Sequence, residues 1–356
     1  MRKGTLDRMK KVACTVAAGA LAVAAALVGT TDAATVSWNT DTIVNTPTGT
    51  TADILRIGTT ADTAVTVTDG GSLGYNAVDV GYSSTNPSLN ASLTVNGTGS
   101  VTTGSGQSLV VGRGATGTLT IADSGSVTSS YLSVGRLNTV VGTGTVNING
   151  GSLTVTDTGY VAYGGSTNTL NNSGLIVQTG GTATYKRFLY LGMMAGTATS
   201  MTATYEISGG SMIVSDGGSN GSMEVGVTGG NVAATWRVIG ADSTISINKS
   251  LKTYLNSTLN FILDGSAAHI STINAGSANF SAYTTVDMGY LGYTPTNGDV
   301  VNLINITGTG SYTGFANLHL AAEDEYIPNT QAGWTLRLSA DNKTLQAVYI
   351  PEPTTM

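Results

Sequence analysis

Residues 109–155 contain one sequence unit twice, first as LVVGRGATGTLTIADSGSVTSS and then as YLSVGRLNTVVGTGTVNINGGSLTV. In each copy a short apolar segment ends in Val-Gly, and a segment of alternating apolar and polar residues follows it. Each copy then closes on a Gly-Ser pair that leads into another alternating segment. Alternation is typical of half-buried strands, and self-similarity at a fixed period is typical of repeat architectures. The stretch therefore predicts a repeating all-β structure.

The same unit recurs about seven times along the chain. The segments that end in glycine are Ile54–Gly58, Val78–Gly81, Leu109–Gly112, Leu132–Gly135, Val161–Gly164, Leu189–Gly192 and Met223–Gly226. The closing glycines are 26 to 30 residues apart, at positions 71, 99, 125, 151, 181, 210 and 240. A β-propeller blade needs about 40 residues or more, so this period favours the coil of a solenoid. We predict an all-β parallel β-helix (β-solenoid) of about eleven coils with an irregular C-terminal β cap.

The remaining segments divide the chain around these repeats. We expect an N-terminal cap at 35–52, the solenoid repeats at 53–248, and final irregular coils with a C-terminal β cap at 249–348. Within that cap, Trp334–Tyr349 is predicted to form a hairpin that turns at Asp341-Asn342. Solenoid ends need atypical caps because a bare strand edge stacks on other molecules. Residues 349–356 form a short tail.

The N-terminus has the pattern of an export signal. Five basic residues precede an apolar, alanine-rich stretch at 12–29, and small residues follow it up to Ala34. We predict a signal peptide at 1–34, the alternative being an uncleaved anchor, because 18 apolar residues is the lower limit of a membrane span. The single cysteine, Cys14, lies inside this signal, so no disulfide is expected in the exported chain.

The net negative charge of the chain limits the classes of partner that it is expected to bind. The chain has a formal net charge of −6, and removal of residues 1–34, with five basic and two acidic residues, makes it −9. An acidic surface repels phosphate backbones and anionic lipids, so no nucleic-acid partner is expected.

The unit Val-Gly, Gly-Thr-Leu-Thr-Ile, Gly-Ser-Val resembles the repeat shared by type V autotransporter passengers and by proteins with a PEP-CTERM sorting signal. The ending Pro351-Glu352-Pro353, followed by Thr-Thr-Met, is similar to the start of that sorting signal. The resemblance implies export in a Gram-negative-type bacterium and a place at the cell surface, at the outer membrane or outside the cell. In that family an apolar helix and a basic cluster follow the motif. A membrane peptidase recognises this signal. A sorting peptidase is thus an expected partner only if the chain continues past Met356.

Several short motifs match catalytic signatures without their structural context. Gly112–Gly117 matches the dinucleotide pattern G-x-G-x-x-G, but a strand pattern follows it where a helix is required. Gly70–Gly74 and Gly217–Gly221 match G-x-S-x-G, a pattern that needs a strand-turn-helix elbow and a histidine. The two histidines, His269 and His319, are both far along the chain. We therefore expect repeat turns at these positions, with no catalytic residues and no cofactor.

Two arginines are the candidates for contact with carbohydrate. Arg113 and Arg136 follow Val-Gly at equivalent repeat positions, so they are expected to lie one above the other, where they could meet a uronate carboxylate. The alternative is that both are solvated turn residues. The turn aspartates Asp69, Asp123, Asp157 and Asp216 either accommodate the turns or bind Ca²⁺ across coils, and the turn role is favoured.

The sequence favours a non-catalytic, exported structural or adhesion protein of a cell surface or extracellular matrix. Its partners would be polysaccharide or other surface proteins. A carbohydrate-active lyase or hydrolase on the same fold is the alternative.

Overall fold

The computed structural model describes residues 35–49, 53–136, 140–164, 171–194, 200–218, 220–226, 232–265, 270–321 and 333–350. The predicted signal peptide at 1–34 and the motif Pro351-Glu352-Pro353 lie outside the described residues. The described part of the chain holds no helix long and apolar enough to cross a membrane.

Short strands make up the described chain. In order they are β1 Thr35–Trp38, β2 Thr42–Val44, β3 Pro47–Thr48, β4 Ile54–Ile57, β5 Thr63–Val67, β6 Ser72–Tyr75, β7 Ala77–Tyr82, β8 Asn90–Val95, β9 Ser100–Thr103, β10 Ser108–Arg113, β11 Thr116–Ile121, β12 Ser126–Arg136, β13 Thr143–Ile148, β14 Ser152–Gly164 and β15 Asn172–Gln178. The others are β16 Thr182–Tyr185, β17 Phe188–Met194, β18 Met201–Ile207, β19 Gly210–Val214, β20 Ser222–Val225, β21 Val232–Ile239, β22 Ser243–Thr253, β23 Ser257–Asp264, β24 Ile273–Phe280, β25 Thr284–Leu291, β26 Val300–Ile306, β27 Tyr312–Thr313, β28 Leu318–Leu320, β29 Trp334–Leu338 and β30 Thr344–Tyr349. A 3-10 turn lies at Phe315–Asn317.

The strands form three parallel ladders, so the predicted parallel β-solenoid is confirmed. The first ladder runs from β1 and β4 through β10 to β27, and the second is an 11-stranded sheet from β2 to β28. The third runs from β3 and β6 through β16 to β26, and the long strands β12, β14, β22 and β24 belong to both the first and the third. About eight turns repeat at a spacing of about 28 residues, and the second ladder has eleven strands from β2 to β28.

The core consists of columns of apolar side chains that stack from coil to coil. One column of the second ladder begins at Val65, Leu93 and Leu119 and reaches Tyr205 and Trp236, all at most 1% exposed. A single coil cannot bury its apolar side chains alone, but the coils stacked on both sides of it cover them. The column changes from aliphatic to aromatic side chains at β18 and β21.

The repeated Val-Gly is a corner between the first and second ladders. Gly135 has φ +69°, and a Cβ atom added to it would lie 2.0 Å from the carbonyl oxygen of Ser173. Only glycine fits such a left-handed position against a neighbouring backbone without strain. The corner explains why an aliphatic residue followed by glycine recurs in all but one copy of the unit.

One copy differs from its predicted alignment. The sequence places Gly164 at the corner, but the register pairs Val134 with Val161 and Arg136 with Tyr163. Ala162 therefore occupies the glycine position, with φ +55°. Tyr163 therefore stands next to Arg136 in the same column, and the Arg136 guanidinium lies over its ring.

The C-terminal end changes from parallel to antiparallel pairing. Strand β22 passes through residue 248, where the regular sequence repeats end, and the second ladder continues as far as β28. Strands β29 and β30 then form the predicted hairpin, with Asn342 in a left-handed conformation at its turn. Strand β30 also pairs antiparallel with β26 and closes this side of the last coils.

Candidate functional site

The charged residues of the first ladder collect in columns whose side chains point away from the core. The residue two positions before each corner forms one column: Arg56, Asp79, Val110, Ser133, Tyr160, Tyr190, Glu224 and Lys252. The residue after each corner forms a second column: Tyr82, Arg113, Arg136 and Tyr163. We call the set Arg56, Asp79, Tyr82, Arg113, Arg136 and Tyr163 the arginine–tyrosine strip.

A buried carboxylate lies at one end of the strip. The side chain of Asp79 is 3% exposed, and its Oδ2 lies 3.3 Å from Arg113 Nη1 and 3.4 Å from Arg56 Nε. Burial raises the pKa of Asp79, while the guanidinium groups of Arg113 and Arg56 oppose that rise. The two arginines are about a quarter to a third exposed, so they shield the carboxylate from solvent.

The ring of Tyr82 packs against the same two guanidinium groups. The Cζ atom of Arg56 lies 3.9 Å from the centroid of the Tyr82 ring, and that of Arg113 lies 5.3 Å from it. A cation over a tyrosine ring contributes about 0.5–1 kcal/mol at an exposed site and about 2 kcal/mol when desolvated. Charge pairing and ring contact together fix both arginines.

The two arginines predicted from the sequence are neighbours, but their surroundings differ. Arg113 and Arg136 are paired in the register of β10 and β12, as the repeat predicts. Arg113 is tied to Asp79, whereas Arg136 lies over Tyr163, with 5.7 Å from its Cζ to the ring centroid. Within the described ranges, no carboxylate lies within ion-pair distance of Arg136. Arg136 therefore has the less compensated charge.

Aromatic rings continue the strip along the ladder. Tyr160 lies 5.0 Å from Tyr163 and is stacked on Tyr190 at 5.6 Å, and Phe188 is stacked on Tyr190 at 5.6 Å, all between ring centroids. Stacked rings cover one another's faces, so they offer a ligand mainly their edges and hydroxyl groups. Burial and the nearby Glu224 raise the pKa of Tyr190 to about 12.

The other acids of this ladder also have cationic partners. Asp157 Oδ2 lies 3.2 Å from Arg187 Nη1 and accepts a hydrogen bond from Tyr131 Oη. Glu224 accepts from Lys252 Nζ at 3.4 Å and from Tyr254 Oη at 3.0 Å. These carboxylates act between neighbouring coils.

The turn aspartates bond to the backbone of turns. The carboxylate of Asp69 accepts from the Thr98 amide in the next coil at 2.9 Å, and that of Asp216 accepts from the Gly218 amide at 2.7 Å. The hydrogen bonds from Gly218 and Asn220 lower the pKa of Asp216. Among the described residues, no three acidic, histidine or cysteine side chains are grouped so that they could hold a metal ion. Asp69 and Asp216 thus bond to turn backbone, whereas Asp157, also expected in a turn, lies within strand β14 and pairs with Arg187.

Two of the catalytic motif matches, Gly112–Gly117 and Gly70–Gly74, lie where turns meet strands. The segment Gly112–Gly117 joins β10 to β11 without a helix, and Ser72 begins β6. His319 is stacked on Tyr283 at 4.0 Å between ring centroids, while His269 and Ser219 lie outside the described residues. Neither Gly112–Gly117 nor Gly70–Gly74 leads into the helix that its chemistry needs.

A shallow groove of about 420 Å³ lies at the C-terminal end, far along the chain from the strip. Its lining residues are Tyr283, Leu318, His319, Leu320, Trp334, Thr335 and Leu336. The adjoining segment 322–332 lies outside the described residues.

Sequence reasoning missed Arg56, Asp79 and Tyr82. The signal that would have found the first two is their shared position, two residues before the corner glycines Gly58 and Gly81. Tyr82 stands immediately after Gly81, as Arg113 stands after Gly112.

Comparison of the chain with protein-family models, curated proteins and solved structures gives no match.

Proposed function

We propose that this protein is a non-catalytic, exported structural or adhesion protein of the cell surface or extracellular matrix of a Gram-negative-type bacterium. The observation that carries the proposal is the arginine–tyrosine strip, in which charged and aromatic groups of successive coils bind one another and form a fixed surface. Such a surface is suited to many weak contacts with an extended partner.

Export and sorting rest on the sequence. The basic and apolar N-terminal segment is typical of a signal peptide, and Pro351-Glu352-Pro353 resembles the start of a PEP-CTERM sorting signal. A membrane sorting peptidase is a partner in this proposal if the natural chain extends past Met356. Other partners are polysaccharide or surface proteins.

The strip favours binding over the alternative of a lyase or hydrolase. A general acid or base must reach the proton that it transfers. Asp79 has a raised pKa beside two arginines, but it is 2% exposed and lies beneath their side chains. Its position fits a group that orients arginines.

The test uses the full chain in a Gram-negative host, with an epitope inserted in the exposed turn at Asp216–Gly218. We expect antibody to label intact cells, and we expect the purified protein to release no new reducing ends or unsaturated uronates from polysaccharides. Labelling only after lysis would overturn export. Cleavage that disappears in Asp79→Asn would establish the enzyme instead.

A further inference from the structure

We propose that the arginine–tyrosine strip binds a linear polysaccharide that carries carboxylates, one of uronic acid units, with Arg136 as the principal contact and Arg113 beside it. This inference rests on the proposed function, since it names the ligand of an exported surface protein.

The first support is a local reversal of charge. The chain has a formal net charge of −6, yet the strip contains three arginines and one carboxylate. Asp79 compensates one of the charges of Arg56 and Arg113, so this small area keeps an excess of positive charge. A cationic patch on an otherwise acidic surface attracts anions locally and directs them to one place.

The second support is the spacing and fixation of the two guanidinium groups. Arg113 and Arg136 stand at paired positions on adjacent strands, whose backbones are about 4.8 Å apart, so one extended chain that crosses the coils can meet both. Asp79 and Tyr82 hold Arg113, and the Tyr163 ring lies under Arg136. Groups held in place before binding lose little conformational entropy when the ligand arrives.

The third support is the chemistry of the surroundings. Guanidinium groups recognise carboxylates through paired N–H···O bonds. Tyr160 and Tyr163 lie half-buried at the same end of the strip, where their ring edges and hydroxyl groups can contact the apolar and hydroxyl faces of a sugar. Nucleic acid fits less well, because the acidic remainder of the surface repels a phosphate backbone.

The experiment measures binding of the purified full chain to polygalacturonate by isothermal titration calorimetry, with dextran as the neutral polymer and dextran sulfate as the sulfated one. We expect binding to polygalacturonate that weakens as salt is added, and little binding to dextran. Arg136→Gln should weaken the binding by about 10-fold or more, because a hydrogen-bonded charge pair is lost. Tyr163→Leu should weaken the binding less, since the charge of Arg136 remains and only the aromatic ring beneath its guanidinium is lost.

Arg337→Gln is the matched control. Arg337 is an exposed arginine of the C-terminal hairpin that bonds to Gln346, far from the strip, so its loss should leave the affinity unchanged within about 2-fold. Melting curves of all variants show whether each one folds. Equal affinity of Arg136→Gln and the parent chain, or no binding by the parent chain, would overturn the proposal. Tighter binding to dextran sulfate than to polygalacturonate would overturn the uronate preference. None of these results bears on surface labelling of intact cells, so failure here is distinct from failure of export.

Discussion

Asp79 and Arg113 are 34 residues apart in the chain, yet Oδ2 of the first lies 3.3 Å from Nη1 of the second. They belong to adjacent coils, β7 and β10, and stand in neighbouring columns on the outer side of the first ladder. Arg56 reaches the same carboxylate from the coil on the other side. One buried acid thus links three successive coils.

We predict that Arg113→Gln lowers the free energy of unfolding by about 1.5–3 kcal/mol at neutral pH, because Asp79 loses one of its two charged donors. The effect depends on pH. At low pH Asp79 is neutral in both folded and unfolded chains, so only the contact of Arg113 with the Tyr82 ring is lost and the difference in stability should be smallest. As the pH rises through the pKa of Asp79, the ionised carboxylate requires Arg113, and the difference should grow. Urea unfolding at a series of pH values measures it.

Arg136→Gln is the control for this prediction. It changes the next residue of the same column, where no carboxylate of the described chain lies within ion-pair distance. Its free energy of unfolding should stay within about 1 kcal/mol of the parent value, since only an exposed contact with the Tyr163 ring is lost. Equal losses in the two variants would show that the pair with Asp79 does not stabilise the fold.

The corners give a second prediction. Gly135→Ala should cost about 2 kcal/mol or more, because an alanine with positive φ is strained and its Cβ would lie 2.0 Å from the Ser173 oxygen. Ala162→Gly, at the equivalent corner, should change stability by less than about 1 kcal/mol, since relief of strain offsets the lost methyl group and the added chain entropy. Thermal unfolding of both variants checks the contrast. A loss at Ala162→Gly as large as that at Gly135→Ala would contradict this account of the corner.

These corners also show how far the sequence predicts the structure. Val111-Gly112 and its copies reveal the period, the corners and the apolar columns, because each is a local pattern with a single physical cause. The copy at Val161–Gly164 is misaligned for the same reason: glycine is absent from its corner, and Ala162 adopts the strained conformation instead.

The site was less predictable because its contacts join different coils. The repeated sequence Val-Gly-Arg identifies Arg113. No repeated sequence marks Asp79, whose place beside Arg113 follows only from the register of the coils. Loop lengths differ from coil to coil, so register cannot be counted from residue numbers alone. The stacking of Tyr160 on Tyr190 likewise depends on that register.

A third prediction concerns alkaline pH. Burial and the nearby Glu224 raise the pKa values of Tyr190 and Tyr254 from 10.0 to about 12. Below pH 10 these hydroxyl groups are neutral in both states. Between pH 10 and 12 the unfolded chain releases protons that the folded chain still holds, so the free energy of unfolding should fall as the pH rises. Urea unfolding together with tyrosinate absorbance measures both effects.

Tyr254→Phe tests the assignment of this alkaline effect. It removes one titrating group together with the hydrogen bond to Glu224, so stability at neutral pH should be lower by about 1 kcal/mol, and the decline above pH 10 should be shallower. An unchanged slope would mean that other groups cause the alkaline loss.

The C-terminal hairpin gives the last prediction. Strand β30 pairs with β26 and places Leu345 and Ala347, both 0% exposed, against the core. A chain that ends at Ala321 would leave the edge of β26 and part of the core open, and open strand edges pair with other molecules. We expect this chain to form oligomers or aggregates and to melt at a lower temperature, as measured by size-exclusion chromatography with light scattering and by thermal unfolding. A chain that ends at Ile350 keeps the hairpin and should behave like the full chain. If the shorter chain stayed monomeric and equally stable, the hairpin would not be the cap of the solenoid.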